Sequence, residues 1–412
     1  GPFSLEDFDE IVGWGDMCIE VIDQGRMPPW HASPDFGSFS NSRHMPEKDK
    51  RVLRRWVEAG MPYGDSDDLP PPAKYVEGWR LPEAPNVVLP MREEPFEVQA
   101  EGTVEYQYFV VDPGFKEDKW VRAAEVIPGC SSVVHHCIAF TRPPDGASFR
   151  EIGLLSAFVP GQVRSPLPEG YAQRIPEGSR IVFQMHYTPN GKVERDLTKL
   201  GLVFADPSEV THEVIALGGI QQEFEIPPQT PHHVVDGRIG WFPRDGLLLS
   251  IMPHMHLRGK AFEFRIERGD QPETVLKVPA YDFNWQHNYE LTSPLPLNDV
   301  EELTFSAIFD NSSDNPFNPD PSELVTWGDQ TWQEMAVTFI SVARPISDGR
   351  RESRPELSKG EQEQMAEQRE RQQRSASEFA DRYIGRFDDN GDGFVTKNEL
   401  PHSVRILSLI HI

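Results

Sequence analysis

The chain has 412 residues, a formal net charge of −26 and 38 prolines, roughly twice the average proline share. A chain this acidic repels phosphate, so nucleic acid and anionic lipid surfaces are poor partners for it. No run of about 18 apolar residues occurs, which excludes a membrane-spanning helix from the sequence as it stands.

Residues 1–70 carry helical patterns. Apolar residues recur with helical spacing over 5–23 and 46–59, and the second pattern places Val52, Leu53, Trp56 and Val57 on one stripe. Between the two patterns lies Gly-Arg-Met-Pro-Pro-Trp-His at 25–31, whose adjacent prolines exclude a helix. We therefore predict a small α-helical segment with a rigid loop.

The loop around Met27 resembles the distal half of a c-type cytochrome domain. The resemblance rests on Gly-Arg-Met-Pro-Pro-Trp at 25–30 and on the helix end Trp-Val-Glu-Ala-Gly at 56–60. It implies that Met27 is an axial haem ligand. No Cys-x-x-Cys-His motif attaches haem here, so we expect a chain cut after that motif, which binds haem weakly or not at all. Taken alone, Met27 is more often a core methionine.

A linker at 71–95, rich in proline and glutamate, leads into two β-rich blocks. Apolar runs there alternate with turn sequences such as Pro-Gly, Pro-Asp-Gly and Pro-Asn-Gly. The predicted strands are 98–111, 120–127, 133–141, 180–187, 200–204, 247–252, 261–266, 302–309 and 334–342. This spacing predicts a mainly β fold with two antiparallel β-sandwiches, over 96–206 and 207–345.

Four elements in these strands supply metal-ligating side chains: His135-His136, His186, His254-x-His256 and Met335. Residues two apart on a strand share a face, so His254 and His256 can hold one ion, although an isolated His-x-His pair is more often structural. The adjacent His135 and His136 need a twist or a bulge to do the same. Neutral imidazoles with one thioether favour copper, because zinc more often recruits carboxylate or thiolate.

This ordered set of motifs resembles the copper type II, ascorbate-dependent monooxygenases, the family of peptidylglycine α-hydroxylating and dopamine β-monooxygenase. The resemblance covers about residues 95–345 and implies two jelly-roll-like sandwiches that face each other across a cleft. The implied activity is hydroxylation of a substrate C–H bond with O₂ and electrons from ascorbate, another reductant or the haem domain. The implied ligands are His135, His136 and His186 for an electron-supplying copper, and His254, His256 and Met335 for the catalytic copper that activates O₂.

The substrate positions differ from those of the peptide-amidating members. In those enzymes an Arg before the His-x-His binds the substrate carboxylate, and an Asn and a Tyr after the Met assist it. Met252, Val337 and Phe339 occupy these positions here. We therefore expect a small-molecule or peptide-like substrate that is apolar rather than one held by a free carboxylate.

The composition changes after residue 345. Glu, Gln and Arg dominate 346–380, which predicts a charged helical connector. Within a predicted domain at 381–412, residues 388–399 match the EF-hand loop in full, with a plain acidic turn as the alternative. EF-hands normally pair, so we expect a second hand outside this sequence. The predicted Ca²⁺ ligands are the side chains of Asp388, Asn390, Asp392, Thr396 and Glu399, and the carbonyl of Phe394.

The remaining histidines receive no metal. His232 and His233 follow a proline in a polar stretch, which indicates a surface loop. His287 could support a nearby ligand, but a structural role is the simpler interpretation. His31 has no partner that the sequence identifies.

Cysteine usage leaves the compartment open. Cys18, Cys130 and Cys137 are too few for a disulfide framework, and the last two either bridge or stay unlinked. Copper loading and c-type haem attachment occur outside the bacterial cytoplasm, so the resemblance implies a periplasmic or extracellular protein. Two alternatives use the same motifs: a copper-binding electron-transfer protein without oxygenase activity, and a calcium-dependent extracellular scaffold.

Overall fold

The computed structural model describes residues 8–346, except 69–70, 72–77, 103, 105, 145–152, 160–165, 270 and 329. The chain divides into two compact units, Gly1–Pro345 and Ile346–Ile412. The described part is mainly β with a small helical segment at its beginning, as predicted. The predicted connector and EF-hand lie outside the described residues. No described helix is long and apolar enough to cross a membrane.

The described part of the amino-terminal segment has three α-helices, α1 at Phe8–Val12, α2 at Gly15–Asp23 and α3 at Glu47–Glu58, and a 3₁₀ helix at Ser66–Asp68. The first predicted helix is therefore interrupted near Gly13, since glycine weakens a helix interior. Helix α2 approaches the end of α3 closely, because a Cβ on Gly15 would lie only 2.6 Å from the Met61 Sδ. The predicted apolar stripe on α3 is only partly covered, and its Val52 side chain is 57% exposed.

Strands make up most of the remaining described chain. Their bounds are β1 Val87–Pro90, β2 Phe96–Val98, β3 Gln107–Val111, β4 Lys119–Ile127, β5 Val134–Arg142, β6 Leu154–Phe158, β7 Tyr171–Ile175, β8 Arg180–Tyr187, β9 Glu194–Asp196, β10 Lys199–Phe204, β11 His212–Gln221, β12 Glu225–Ile226, β13 His233–Arg238, β14 Leu247–His254, β15 Gly259–Arg268, β16 Gln271–Val278, β17 Tyr289–Pro296, β18 Glu302–Phe309, β19 Val325–Thr326 and β20 Ala336–Pro345.

Each predicted strand corresponds to an observed one, and two differ in an informative way. Only Gln107–Val111 of the predicted strand at 98–111 forms a strand, β3; Val98 ends β2, and Gly102, between the two strands, has a positive φ of 84°. Strand β20 begins at Ala336 rather than at Glu334, which makes only an isolated bridge to Trp327. Met335 therefore precedes its strand.

One eight-stranded sheet, in the order β1-β10-β4-β7-β11-β20-β14-β17, runs through both predicted sandwiches. Its halves join where β7 pairs in parallel with β11. Each half carries its own four-stranded second sheet, β3-β8-β5-β6 for the first and β13-β18-β15-β16 for the second. The other strand pairings are antiparallel, so the predicted mainly β fold is confirmed, and this short parallel pairing joins the two sandwiches into one continuous sheet.

Each sandwich has its own hydrophobic core. The first core draws its buried residues from 89–202, and the second draws most of its buried residues from 215–342. Buried side chains alternate along the strands that border these cores, as Ile181, Phe183 and Met185 do on β8. The residues between them point away from the core, and the candidate ligand His186 occupies such a position.

Candidate metal centres and the adjoining cavity

A β-bulge brings the adjacent His135 and His136 to one face of β5. The pairing of β5 with β8 shifts register between Val134 and His136, which lies opposite His186. Val134 and Cys137 are both buried in the first core, whereas the two histidines between them are only partly buried. The extra residue in the strand therefore lets two consecutive side chains point away from the core.

His186 joins these residues from the neighbouring strand. The ring centroids lie 5.4 Å apart for His135 and His136, 5.0 Å for His135 and His186, and 4.9 Å for His136 and His186. One nitrogen from each ring lies within 4.8 Å of the other two. The Nδ1 atoms of His135 and His136 are 3.2 Å apart, and the buried Nδ1 of His186 has no hydrogen-bond partner among the described residues. A metal ion would satisfy such converging nitrogens.

Burial holds the three rings in the neutral form that binds metals. Desolvation lowers the pKa of His186 to about 4, and it also lowers the pKa of His135. The pKa of His136 lies well below its ordinary value, chiefly through desolvation and then through the neighbouring imidazoles. The Tyr106 ring stacks on His186 with centroids 4.9 Å apart and covers one side of this three-histidine cluster.

The second pair of histidines lies at the end of β14. His254 is the last residue of that strand and, like Met252, points away from the second core, whereas Ile251 is buried in it. His256 lies beyond the strand, which corrects the expectation that a regular strand carries both rings. The rings nevertheless approach with centroids 5.3 Å apart and planes at 87°.

Hydrogen bonds fix which nitrogen of each ring is available. The His254 Nδ1 lies 2.6 Å from the Gln286 Oε1, and the Gln286 Nε2 donates to the Phe283 carbonyl, which orients the amide. The His256 Nδ1 lies 3.2 Å from the Gln333 carbonyl oxygen. Because both partners accept, both Nδ1 atoms carry the proton, which leaves the His254 Nε2 lone pair for an ion. The His256 ring has a second backbone partner at Gln330.

A buried charged network holds the turn that carries His256. The fully buried Glu334 accepts from the backbone nitrogens of His256 at 2.8 Å and Arg258 at 2.6 Å. The Arg258 guanidinium, also buried, donates to the Asn311 Oδ1 at 2.8 Å and to the Trp332 carbonyl at 2.7 Å. Burial raises the pKa of Glu334 to about 8, against the opposing effect of these backbone donors and of Arg258. The network ties the turn to the residues that precede β20.

Met335 follows Glu334 directly. The register of β14 and β20 pairs His254 with Val337, so its continuation places Met335 opposite His256. The Met335 side chain is partly buried. Its position in the register is compatible with the histidine pair, and its role as a copper ligand stays a prediction.

The two clusters influence each other. The charge that His254 carries when protonated lowers the pKa of His136, so the two rings lie within electrostatic reach. The first cluster projects from the outer face of the sheet β3-β8-β5-β6, and the second projects from the outer face of the eight-stranded sheet. The imidazole clusters of the two sandwiches therefore lie within electrostatic reach of each other.

A cavity of about 270 Å³ adjoins the second cluster. Met252 and Phe339, which are cross-strand partners, line it, and the Phe339 ring centroid lies 6.5 Å from that of His254. The other lining residues are Trp30, Asn41, Arg43, Leu154, Ala157, Ala216, His287, Asn288, Glu290, Ile340 and Ser341. The cavity thus has walls from both sandwiches and from the amino-terminal segment.

Other sequence predictions have mixed outcomes. The Met27 side chain is 41% exposed in the loop after α2, and its role as a haem ligand stays a prediction. Cys18, Cys130 and Cys137 are free thiols, so the unlinked alternative holds. His233 begins β13, which corrects the expectation of a loop. The predicted calcium ligands at 388–399 lie outside the described residues.

Sequence reasoning missed the residues that support the second cluster. Gln286, Arg258 and Glu334 stand beside recognised motifs, but nothing in the sequence indicates that they contact His254 or the turn with His256. An acidic residue directly before a candidate ligand at the start of an apolar strand pattern, as Glu334 is, was the available signal.

No protein-family model and no curated protein matches the chain. Among solved structures, the chain is similar to the major capsid protein P2 of bacteriophage PM2. The two share 9% identity over 64% of this chain and 98% of the capsid chain, with a TM-score of 0.29. A TM-score this low carries no argument about function.

Proposed function

We propose that the chain is a copper-dependent monooxygenase that hydroxylates a C–H bond of an apolar substrate with O₂ and an external electron donor. One observation carries the proposal. Two clusters of neutral imidazoles, drawn from separate segments between residues 135 and 256, lie within electrostatic reach of each other, and a cavity adjoins the second. Paired redox ions and a neighbouring substrate space are what this chemistry requires.

The donor atoms fit copper. His135, His136 and His186 would hold one ion through nitrogen alone, and the buried Nδ1 of His186 is a donor atom without another partner among the described residues. His254, through Nε2, and His256 would hold the second, with the soft Met335 sulfur as third ligand. When bound, the two copper ions supply one-electron redox chemistry and the activation of O₂.

The surrounding residues have separate tasks in this proposal. Gln286 and the Gln333 carbonyl hold the two rings of the second cluster in one tautomer and orientation. Glu334 fixes the turn that carries His256. Met252 and Phe339 exclude water beside His254 and favour an apolar substrate.

Ascorbate, another reductant or a c-type haem domain would supply the electrons. Calcium binding by the loop at 388–399 and haem binding at Met27 are separate parts of the proposal, because neither is needed for the copper chemistry. We also propose a periplasmic or extracellular location, since copper enzymes of this kind acquire their metal there.

Copper stoichiometry and O₂ consumption test the proposal. We expect two copper ions per chain, and one in each of the variants His186→Ala and His256→Ala. The assay contains ascorbate, ¹⁸O-labelled O₂ and a panel of apolar candidate substrates. We expect the chain to consume O₂ and to yield a product that carries one labelled oxygen atom. Met335→Ile should keep the first copper and the fold but lose hydroxylation, whereas Met17→Ile, at an exposed methionine of α2, should change neither.

Three results would contradict the proposal in different ways. Two bound copper ions without product formation would favour an electron-transfer protein. Calcium bound without copper would favour a scaffold. Full hydroxylation by Met335→Ile would remove that residue from the site.

A further inference from the structure

We infer that the cavity beside His254 takes a flat aromatic molecule of about two fused rings, and that Trp30 of the amino-terminal segment determines which rings fit. The inference rests on the proposed function, because it treats the cavity as the substrate site. Trp30 is not a candidate copper ligand, and it lies outside both predicted sandwiches.

Five side chains offer an apolar surface to the cavity. Trp30 comes from the amino-terminal segment, Leu154 and Ala157 come from β6, and Met252 and Phe339 come from β14 and β20. All five are partly exposed, so an occupant of the cavity can reach them. A bound molecule would therefore contact apolar groups from three separate parts of the chain.

The size of the cavity limits the occupant. Its volume is about 270 Å³. An apolar cavity of about 150 Å³ holds one benzene molecule, so this space holds roughly one more ring. It lies just under the roughly 300–1,000 Å³ typical of drug-sized ligand sites, and it does not suit an extended peptide.

The chemistry of the lining favours an aromatic occupant over a saturated one. Trp30 and Phe339 are aromatic, and Met252 adds a polarizable thioether. Contacts of aromatic rings with other rings and with sulfur contribute free energy beyond the area they bury. Arg43 and Glu290 line the same cavity with opposite charges, so the lining has no net preference for an ion.

Other aromatic rings hold the Trp30 ring in place. Its centroid lies 5.0 Å from that of Tyr289, 5.8 Å from that of His287 and 6.0 Å from that of Phe39. Tyr289 is buried in the second core, so the group is anchored to the sandwich. A wall fixed in this way discriminates between ligands by shape, because its position is set before the ligand binds.

The chain that follows Trp30 is attached beside β17, the strand at the end of the eight-stranded sheet. The Ser40 nitrogen donates to the Glu290 carbonyl at 2.8 Å, and the Asn41 Nδ2 donates to the Asn288 carbonyl at 2.7 Å. These bonds cover the edge of the sheet. The wall that Trp30 forms is therefore a fixed part of the second sandwich.

Binding of three bicyclic molecules to the full chain, measured before copper loading, tests the inference. The probes are 2-naphthol, its saturated counterpart decahydro-2-naphthol, and 2-naphthoate, which adds a charge. We expect 2-naphthol to bind roughly three- to tenfold more tightly than decahydro-2-naphthol, the effect of one aromatic contact. The anion 2-naphthoate should bind more weakly than 2-naphthol, because its carboxylate would lose water in an apolar space.

Variants locate the effect. Trp30→Leu should lose most of the preference for 2-naphthol and, because it enlarges the cavity, should bind 2-hydroxyanthracene at least threefold more tightly than the wild type does. Trp30→Phe keeps a ring and should retain part of the preference. Ala157→Phe should fill the cavity and weaken all of these ligands. The matched control is Trp332→Leu, at a side chain that is 57% exposed and outside the lining, and it should match the wild type.

Fluorine NMR distinguishes direct contact from a structural role. In the full chain labelled with 5-fluorotryptophan, the resonance that Trp30→Phe removes belongs to Trp30. We expect that resonance to shift when 2-naphthol saturates the chain, whereas the Trp332 resonance stays in place. This measurement needs no destabilising substitution in the labelled chain, so it holds even where Trp30→Leu fails to fold.

Any of four results would overturn the inference: equal binding of 2-naphthol and decahydro-2-naphthol, tighter binding of 2-naphthoate, an unchanged preference in Trp30→Leu, or a Trp30 resonance that does not move. These outcomes are separate from the fate of the proposed function, since the ligands are measured without copper. A chain that shows the aromatic preference but binds no copper would contradict the monooxygenase proposal alone.

Discussion

The two histidine clusters are positioned by different means. In the first, the backbone places the rings, because the bulge at His135 and the cross-strand pairing of His136 with His186 set their directions. In the second, one ring lies beyond the end of its strand, and hydrogen bonds that Gln286 and Glu334 accept fix the geometry. One cluster depends on sheet register, and the other depends on a side-chain network.

This difference suits two different tasks. A site set by two paired strands changes little when an ion gains or loses an electron, which favours electron transfer at the first cluster. A site at the end of a strand can open toward a neighbouring cavity, which favours substrate chemistry at the second. The difference in position is therefore compatible with the separate roles proposed for the two clusters, and experiment can test it.

Among the tests of this difference, substitution of Glu334 should change the stability and the second cluster most. Glu334→Ala leaves the backbone N–H groups of His256 and Arg258 buried without their acceptor, so we expect a loss of about 2–6 kcal/mol in the free energy of unfolding, at about 1–3 kcal/mol for each unsatisfied donor. Copper binding at the second cluster should weaken, and binding at the first should persist. Urea unfolding and metal analysis measure the two effects.

The matched control removes an exposed ion pair. Arg238 is 72% exposed and lies 3.7 Å from Glu302, so Arg238→Ala should change the stability by no more than about 0.5 kcal/mol. A Glu334→Ala variant as stable as this control would mean that the buried network does not hold the second cluster together.

Acid should affect the two clusters alike, because burial keeps the rings neutral in both. Desolvation lowers the pKa of His186 to about 4 and that of His256 to about 3. A histidine with a lowered folded-state pKa contributes stability that is present above pH 6.5 and lost as the pH falls through the folded value. Each ring should account for about 3 kcal/mol of stability lost between pH 6.5 and pH 4 in the copper-free chain.

Urea unfolding at several pH values measures this loss. His186→Gln and His256→Gln should each flatten the decline by a similar amount, and His232→Gln, at an exposed position, should leave the decline unchanged. If only one of the two cluster variants flattened the curve, the rings would not be equally buried in solution.

Much of the β framework could be predicted from the sequence. The bounds of β8 and β18 agree with the predicted 180–187 and 302–309, because both have regular alternation and clear flanking turns. The motifs His135-His136 and His186 lie in β5 and β8, two strands that the same kind of alternation predicts. The need for a bulge at His135 could be foreseen, since adjacent residues on a flat strand face opposite sides.

The contacts that distinguish the clusters could not be predicted in this way. Gln286 and His254 are 32 residues apart in sequence, and their hydrogen bond depends on the loop before β17 folding against β14. The attachment of Asn41 beside β17 joins segments 247 residues apart, so no local pattern encodes it. Local periodicity specifies strands, whereas the support of a site depends on tertiary packing.

Loss of the Gln286 hydrogen bond should have a smaller effect that is confined to one cluster. Gln286→Leu removes the acceptor that orients the His254 ring, and we expect copper(I) affinity at the second cluster to fall about 10- to 100-fold. Competition with a chromophoric copper(I) chelator measures this affinity. A His186→Ala background isolates the second cluster, and a His256→Ala background isolates the first.

The first cluster provides the matched control, since its rings are placed by the backbone. Gln184 lies two residues before His186 on β8, and its amide donates to the Tyr108 hydroxyl at 2.8 Å. Gln184→Leu should therefore leave copper(I) affinity at the first cluster nearly unchanged. An equal loss of affinity in both variants would mean that side-chain hydrogen bonds position both clusters, and the distinction between a register-built site and a network-built site would fail.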